Sequence, residues 1–213
     1  MVIKFKLLSL FLLPLILCSQ ERTSIGSYWF GLAYEGYSDD LSDADHLVFD
    51  SNLPINQNFD VGINAHIGSL SVLEYDLLSY GASVDAKIHK KFDLGGVTAD
   101  PYFGLGLGLA ALESYSWAYV GSDYYYNYYT TVANTSLLVP YSVFLGSEFA
   151  FNEYFSLVPA IGLNGLLNED VDTLFSYGMQ ANFFFTDSFS LGLSYSGDNE
   201  SGNRFTLIGR YHL

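Results

Sequence analysis

Asp100-Pro101-Tyr102-Phe103-Gly104-Leu105-Gly106-Leu107-Gly108-Leu109-Ala110 alternates bulky apolar side chains with glycine at a period of two. Successive side chains of a strand point to opposite faces, so Phe103, Leu105, Leu107 and Leu109 share one face and glycine lines the other. A helical path would scatter the same residues around its axis and leave no coherent apolar side.

The period extends along the chain. Tyr28, Phe30, Leu32 and Tyr34 oppose Ser27, Trp29, Gly31, Ala33 and Glu35. Phe59, Val61, Ile63, Ala65 and Ile67 oppose Asp60, Gly62, Asn64 and His66, and Leu78, Tyr80, Ala82, Val84, Ala86 and Ile88 oppose Ser79, Gly81, Ser83, Asp85 and Lys87. Five further strands are expected over 137–151, 157–167, 175–185, 189–195 and 205–213, and a weaker one, carrying Leu47, Phe49, Leu53 and Ile55, over 45–55. Connections alternate in length: short at 54–58, 90–96, 152–154 and 186–188, longer at 38–44, 69–76, 113–134, 168–173 and 197–203. Sorting turns to one rim and loops to the other gives ten strands, with both ends on the turn side. Eight is the fallback if 45–67 forms one long loop.

Residues 1–20 read as a secretory leader. Lys4 and Lys6 precede an apolar run too short to cross about 30 Å of hydrocarbon as a helix. Cleavage is expected near Cys18 to Gln20, with Cys18 as the alternative lipoprotein cysteine. Residues 21–213 then form a single domain.

The 213 residues carry 23 acids against 8 bases, a net charge of −15. That surplus excludes binding nucleic acid by phosphate neutralisation. A hydrophobic fraction of 50% excludes disorder, and a single cysteine excludes a disulfide framework.

A soluble barrel turns its apolar face inward, whereas a membrane barrel turns it to lipid. The export leader, the bulky aromatics near strand ends and the Gly-, Ser- and Asn-rich opposite faces favour the second arrangement. The expected fold is all-β: a transmembrane antiparallel up-and-down barrel. The 100–110 stretch resembles the Pro-Tyr-x-Gly-x-Gly-x-Gly strand of small bacterial outer-membrane barrels of the OmpA and opacity-protein type. Gly146-Ser147-Glu148-Phe149-Ala150-Phe151-Asn152-Glu153-Tyr154-Phe155-Ser156-Leu157 is similar to their strand–turn–strand signature, and Tyr211-His212-Leu213 resembles their terminal assembly signal. The resemblance implies an outer-membrane location, contact with membrane lipid and lipopolysaccharide, insertion by the barrel-assembly machinery and a monomer. It names no activity.

Parity places Glu35, Asp60, His66, Asp85, Lys87, His89, Asp100, Glu148, Arg210 and His212 toward the lumen. Glu35, Asp60, Asp85, Lys87, Asp100, Glu148 and Arg210 are read as a charged network. Glu148 and Asp85 are expected to pair with Lys87 and Arg210 in a ladder that fills the interior, because enclosed charges need partners. The alternative is a narrow hydrated path whose acidic excess favours cations. The glycines on this face leave either a gap or room for neighbouring side chains.

The 113–134 connection contains Tyr115, Trp117, Tyr119, Tyr124, Tyr125, Tyr126, Tyr128 and Tyr129. Tyrosine supplies rigid amphipathic contact area, so this external segment is the candidate site for a surface or host ligand. The leading functional reading is a structural or surface-interaction, adhesion-like role without catalysis. A cation-preferring pore is second. An outer-membrane enzyme, a protease or a lipid A-modifying one, is third; it would rest on Asp43, Asp45 and His46, an Asp/His set able to activate water. No cofactor is expected. His46, His66, His89 and His212 lack metal-ligand spacing.

Overall fold

The computed structural model describes residues 22–38, 42–72, 75–122, 127–169, 171–199 and 202–213. Residues 1–20, read above as a leader and including Cys18, lie outside them. The strands are β1 (Trp29–Ser38), β2 (Ser42–Asn56), β3 (Phe59–Val72), β4 (Tyr75–His89), β5 (Thr98–Ser122), β6 (Asn127–Leu138, resuming after Val139 as Pro140–Asn152), β7 (Phe155–Leu166), β8 (Leu174–Thr186), β9 (Phe189–Asp198) and β10 (Asn203–His212). Each pairs antiparallel with the next, and β10 pairs with β1 from Trp29↔His212 to Ser38↔Asn203. The sheet is thus a closed ten-stranded barrel with both described ends at one rim. A two-residue strand, Phe92–Asp93, pairs with Ala99 and Thr98 in the turn before β5.

The turn rim is built by repetition. Asn56-Gln57-Asn58-Phe59, Asn152-Glu153-Tyr154-Phe155 and Thr186-Asp187-Ser188-Phe189 are three equivalent turns. In each, the first side chain accepts a bond from the backbone N–H two residues on: Asn58 to Asn56 at 2.9 Å, Tyr154 to Asn152 at 2.8 Å and Ser188 to Thr186 at 3.3 Å. A register shift beside each turn leaves one extra residue, Ile55, Phe151 or Phe185, and all three are exposed on the outer surface. Phe151 stacks on Phe155 and Phe185 on Phe189, giving this rim an aromatic girdle. The residue after each turn phenylalanine (Asp60, Ser156 or Ser190) points inward and is fully buried.

The opposite rim departs from the sequence reading. Much of the 38–44, 69–76 and 113–134 connections is strand: β1 runs to Ser38, β3 to Val72 and β5 to Ser122. Above the lipid both faces of a strand meet water, so pairing continues after the apolar alternation ends. The β6 break has a local cause, since Pro140 has no N–H to give the ladder. Asn168 bridges the gap, accepting from Val139 N at 2.8 Å and donating to Leu137 O at 2.6 Å.

Leu32, Val84, Leu105, Leu107, Leu109, Leu145, Ile161 and Met179 are each about half exposed, though they are large and apolar. Tyr34, Tyr80, Phe175, Tyr177, Tyr195 and Phe205 form the second outer girdle toward the loop rim. Asp60, Asp100, Glu148, Asn152 and Asn182 are buried inside. An apolar outer band on a sheet closed into a barrel is the construction of an outer-membrane barrel, and the chain is placed in that membrane.

Leu107→Arg should therefore cost about 2–4 kcal/mol of barrel stability near the membrane midplane. Ser83→Arg, on the lumen face of the adjacent strand, should cost clearly less. Equilibrium unfolding in bilayers measures both, and a reversed order would invert the assignment of faces.

Candidate functional site

Before β1, the chain folds up into the lumen at the turn rim. Three consecutive backbone amides of this strap, those of Ser24, Ile25 and Gly26, aim at two fully buried carboxylates. Ser24 N donates to both oxygens of Glu148 at 2.9 Å, and Ile25 N donates to Oε2 at 2.9 Å. Gly26 N donates to Asp60 Oδ2 at 2.8 Å. Glu148 also accepts from Ser24 Oγ (3.1 Å), Ser156 Oγ (2.5 Å) and Asn182 Nδ2 (3.2 Å). Asp60 also accepts from Asn52 Nδ2 at 2.7 Å. Charge-assisted bonds of this kind offset the desolvation of the carboxylates. Gly26 has φ 71°, and a Cβ there would lie 3.1 Å from His89 Cε1, so both conformation and space call for glycine.

The strap is also tied at its flanks. Lys91 Nζ donates to Thr23 Oγ1 at 2.7 Å, Arg22 Nη1 to Thr186 O at 2.7 Å and Trp29 Nε1 to Ser24 O at 3.0 Å. Ile25 packs with Tyr102 and Val158, with Phe144 against that cluster from above.

Around the strap, every strand contributes an interior side chain less than a tenth exposed: Trp29, Asn52, Asp60, His89, Asp100, Glu148, Ser156, Asn182, Ser190 and Arg210, in order from β1 to β10. The turn-side half of the lumen is a dry floor. Within it, His89 lies between two carboxylates, with Nδ1 3.0 Å from Asp100 and Nε2 3.3 Å from Asp60. Ser190 Oγ and His212 Nε2 are 2.7 Å apart, equally enclosed.

The ladder expected from the sequence does not form as a unit. Asp85 and Lys87, both on β4, pair at 3.1 Å. Glu148 bonds strap amides instead of a base. Arg210 donates to Asn182 Oδ1 at 2.8 Å and lies 4.7 Å over the Trp29 ring, with no ion pair among the described residues. Glu35 stands nearer the loop rim, 3.5 Å from Arg204 and 3.8 Å from His46, whose ring meets that of His66 edge-on at 5.3 Å. The interior glycines serve as cradles: a Cβ on Gly62 would collide with Asp85, on Gly104 with Phe144 and on Gly165 with Tyr141. Lumen side chains lie flat on the wall. Above the floor this leaves an outward-opening vestibule of about 730 Å³, lined by Asp50, Asn64, Asp85, Lys87, Tyr141 and Asn164 among others.

The Asp43, Asp45 and His46 set does not converge. These residues lie within β2, where Asp45 accepts a bond from Tyr34 on the outer surface while His46 turns inward toward Glu35. The strap itself was not read from the sequence; its signal was a Ser-Ile-Gly-Ser stretch preceding the first alternating strand.

The Tyr-rich segment is not a loop. β5 and the first part of β6 form a hairpin from Glu113↔Thr135 to Ser122↔Asn127, with a register shift between Tyr119 and Gly121. Pairing of β4 with β5 stops at Ser79↔Leu112, and pairing of β6 with β7 at Pro140↔Leu166. Above those points Leu167 N still donates to Val139 O at 2.9 Å and Asn168 reaches Leu137 O; beyond them the described strand pairing lies within the hairpin. Its backbone carries Tyr115, Trp117, Tyr119, Tyr128 and Tyr129, while Tyr124, Tyr125 and Tyr126 lie outside the described residues.

No protein-family model and no curated protein matches the chain. Solved structures with a similar chain path include an outer-membrane channel from Pseudomonas putida F1 (13% identity, 91% of this chain and 97% of that one, TM-score 0.49) and the translocator domain of the autotransporter NalP from Neisseria meningitidis (10%, 87% and 86%, 0.45). Another is the Yersinia pestis outer membrane protein Ail (11%, 88% and 99%, 0.39).

Glu148→Ala should strand several buried donors and cost about 3 kcal/mol or more, while Glu148→Gln, which keeps an acceptor oxygen, should cost less. Denaturant unfolding in bilayers separates the two. In planar-bilayer recording the intact barrel should show no steady conductance, and removal of residues 22–27 should introduce it. Steady current through the intact protein would break the assignment of a sealed floor.

Proposed function

We propose that this outer-membrane barrel is a surface-interaction protein, adhesion-like and non-enzymatic, that works through the hairpin raised above its loop rim. The carrying observation is the length of pairing beyond the wall. The nine pairs from Glu113↔Thr135 to Ser122↔Asn127, at roughly 3.4 Å per residue, make a ribbon about 30 Å long beyond the last pairing of β5 with β4. A two-stranded ribbon alone in water is marginally stable, so a segment of this length needs something to rest on. Its tyrosines and Trp117 suit recognition of an amphipathic surface. The resemblance of residues 100–110 and 146–157 to OmpA- and opacity-type proteins fits an anchor of this kind.

The sealed floor argues against the cation-preferring pore in this conformation. Asp50 and Asp85 in the vestibule supply the charge such a path would need once the strap had left. Outer-membrane lipid, lipopolysaccharide and the barrel-assembly machinery remain the partners proposed for insertion, with a host or surface ligand at the hairpin.

Deleting residues 121–129 should leave folding intact and reduce adhesion of expressing cells to their target surface severalfold. Protease added to intact cells should cut near Tyr124–Tyr129 and spare the 90–96 turn until the outer membrane is permeabilised. Loss of folding on deletion would make the segment part of the wall. Unchanged adhesion with normal folding would refute the surface role.

A further inference from the structure

The hairpin has two open edges. Above Leu112 no described strand pairs with β5, and beyond Leu137, where the bonds from Leu167 and Asn168 end, none pairs with the upper part of β6, so both margins present backbone N–H and C=O groups with no described strand beside them. Natural proteins blunt such edges with charge, proline or bulges, because an unblunted edge accepts another strand. This hairpin carries little of that protection. Residues 114–137 contain one charged side chain, Asp123, and no proline, and are rich in Tyr, Thr, Ser and Val. That is the composition of a strand that pairs readily with further strands.

We propose that the hairpin docks edge to edge on the hairpin of a second copy of this chain standing on a facing surface. The inference rests on the reading of the hairpin as the contact element and names its partner. Charge points to a second copy. The chain as a whole bears −15 and repels its own kind, but the hairpin holds a single acid, so copies can meet there without bringing their acidic bodies together. A basic or acidic foreign partner would find almost no counter-charge on it. Symmetry points to a facing copy. A two-fold axis along the membrane normal would set equivalent edges parallel, whereas a two-fold lying between two facing membranes sets them antiparallel. Antiparallel pairing is the slightly more stable geometry and the one already used throughout this sheet. The contact is isologous, needs no second sequence and leaves each barrel single in its own membrane. It also has a particular salt response: screening weakens repulsion between the acidic bodies while leaving backbone pairing in place.

The test uses the full-length barrel in two populations of zwitterionic lipid vesicles carrying donor and acceptor dyes. Docking should require protein in both populations and should strengthen as salt rises from about 10 to 150 mM, across which the Debye length falls from about 30 to 8 Å. Ala118→Lys combined with Val132→Lys puts a charge on each strand of the hairpin. Vesicles bearing this variant should lose mutual docking at least tenfold, as should those bearing Ala118→Glu with Val132→Glu. Mixing the Lys and Glu populations should restore it. Retained heat-modifiable migration on gels would show that the variants are folded. Docking with protein on one side only, no docking of the unaltered protein, or a mixed pair that stays apart would each overturn self-pairing. Binding of protein-bearing vesicles to cells or glycan surfaces in the absence of self-docking would leave the surface role standing and remove only this inference; loss of both would remove both.

Discussion

Hydrocarbon offers a backbone amide no partner, and that constraint orders the whole molecule. A sheet with an edge cannot sit in lipid, so β10 must return to β1 and every strand must be paired on both sides. Once the sheet is closed, the period of two leaves one face for lipid and one for the interior. Bulky residues such as Leu105 and Leu107 go out, and Asp60, Asp100, Glu148 and Arg210 have nowhere to go but in. The closed floor follows from these inward polar groups packing against one another and against the strap.

How that floor is satisfied is particular to this chain. A buried carboxylate is costly, and pairing it with a buried base returns the desolvation cost only when the geometry is very good. Here Glu148 and Asp60 are met by backbone amides of the strap, groups that would themselves need acceptors once enclosed. The two deficits cancel, which makes the strap a component of the barrel interior rather than an appendage. Arg210 finds its place differently, through an amide oxygen and the face of Trp29.

Where one face met lipid, the sequence was legible. Strand number followed from the alternation together with the sorting of short turns and longer loops, and the lipid-facing side of each strand from parity, which is a property of each strand by itself. Who touches whom across the lumen was not legible: the Glu148–Ser24 bond joins residues 124 apart and depends on register and closure. Of the expected ladder only Asp85–Lys87, two residues of one strand, is paired. His46 has the opposite parity to Asp43 and Asp45, and residues of opposite parity on one strand cannot meet. The hairpin was hidden because alternation fades where both faces are wet, although the ladder continues. The strap was hidden because six residues of irregular chain have no period at all.

One feature of β5 has a mechanical side. It runs without a break from Thr98 at the turn rim to Ser122 in the hairpin, so the same strand is wall below and mast above. Tension applied at the top travels along the strand axis, at right angles to its interstrand hydrogen bonds. Bonds loaded in that direction share the force across the ladder instead of opening one after another from an end. Below Leu112 the ladders to β4 and β6 are both engaged, so a pull is handed to two neighbours on entering the membrane. The barrel then behaves as a footing loaded in shear, from which the hairpin is hard to draw out.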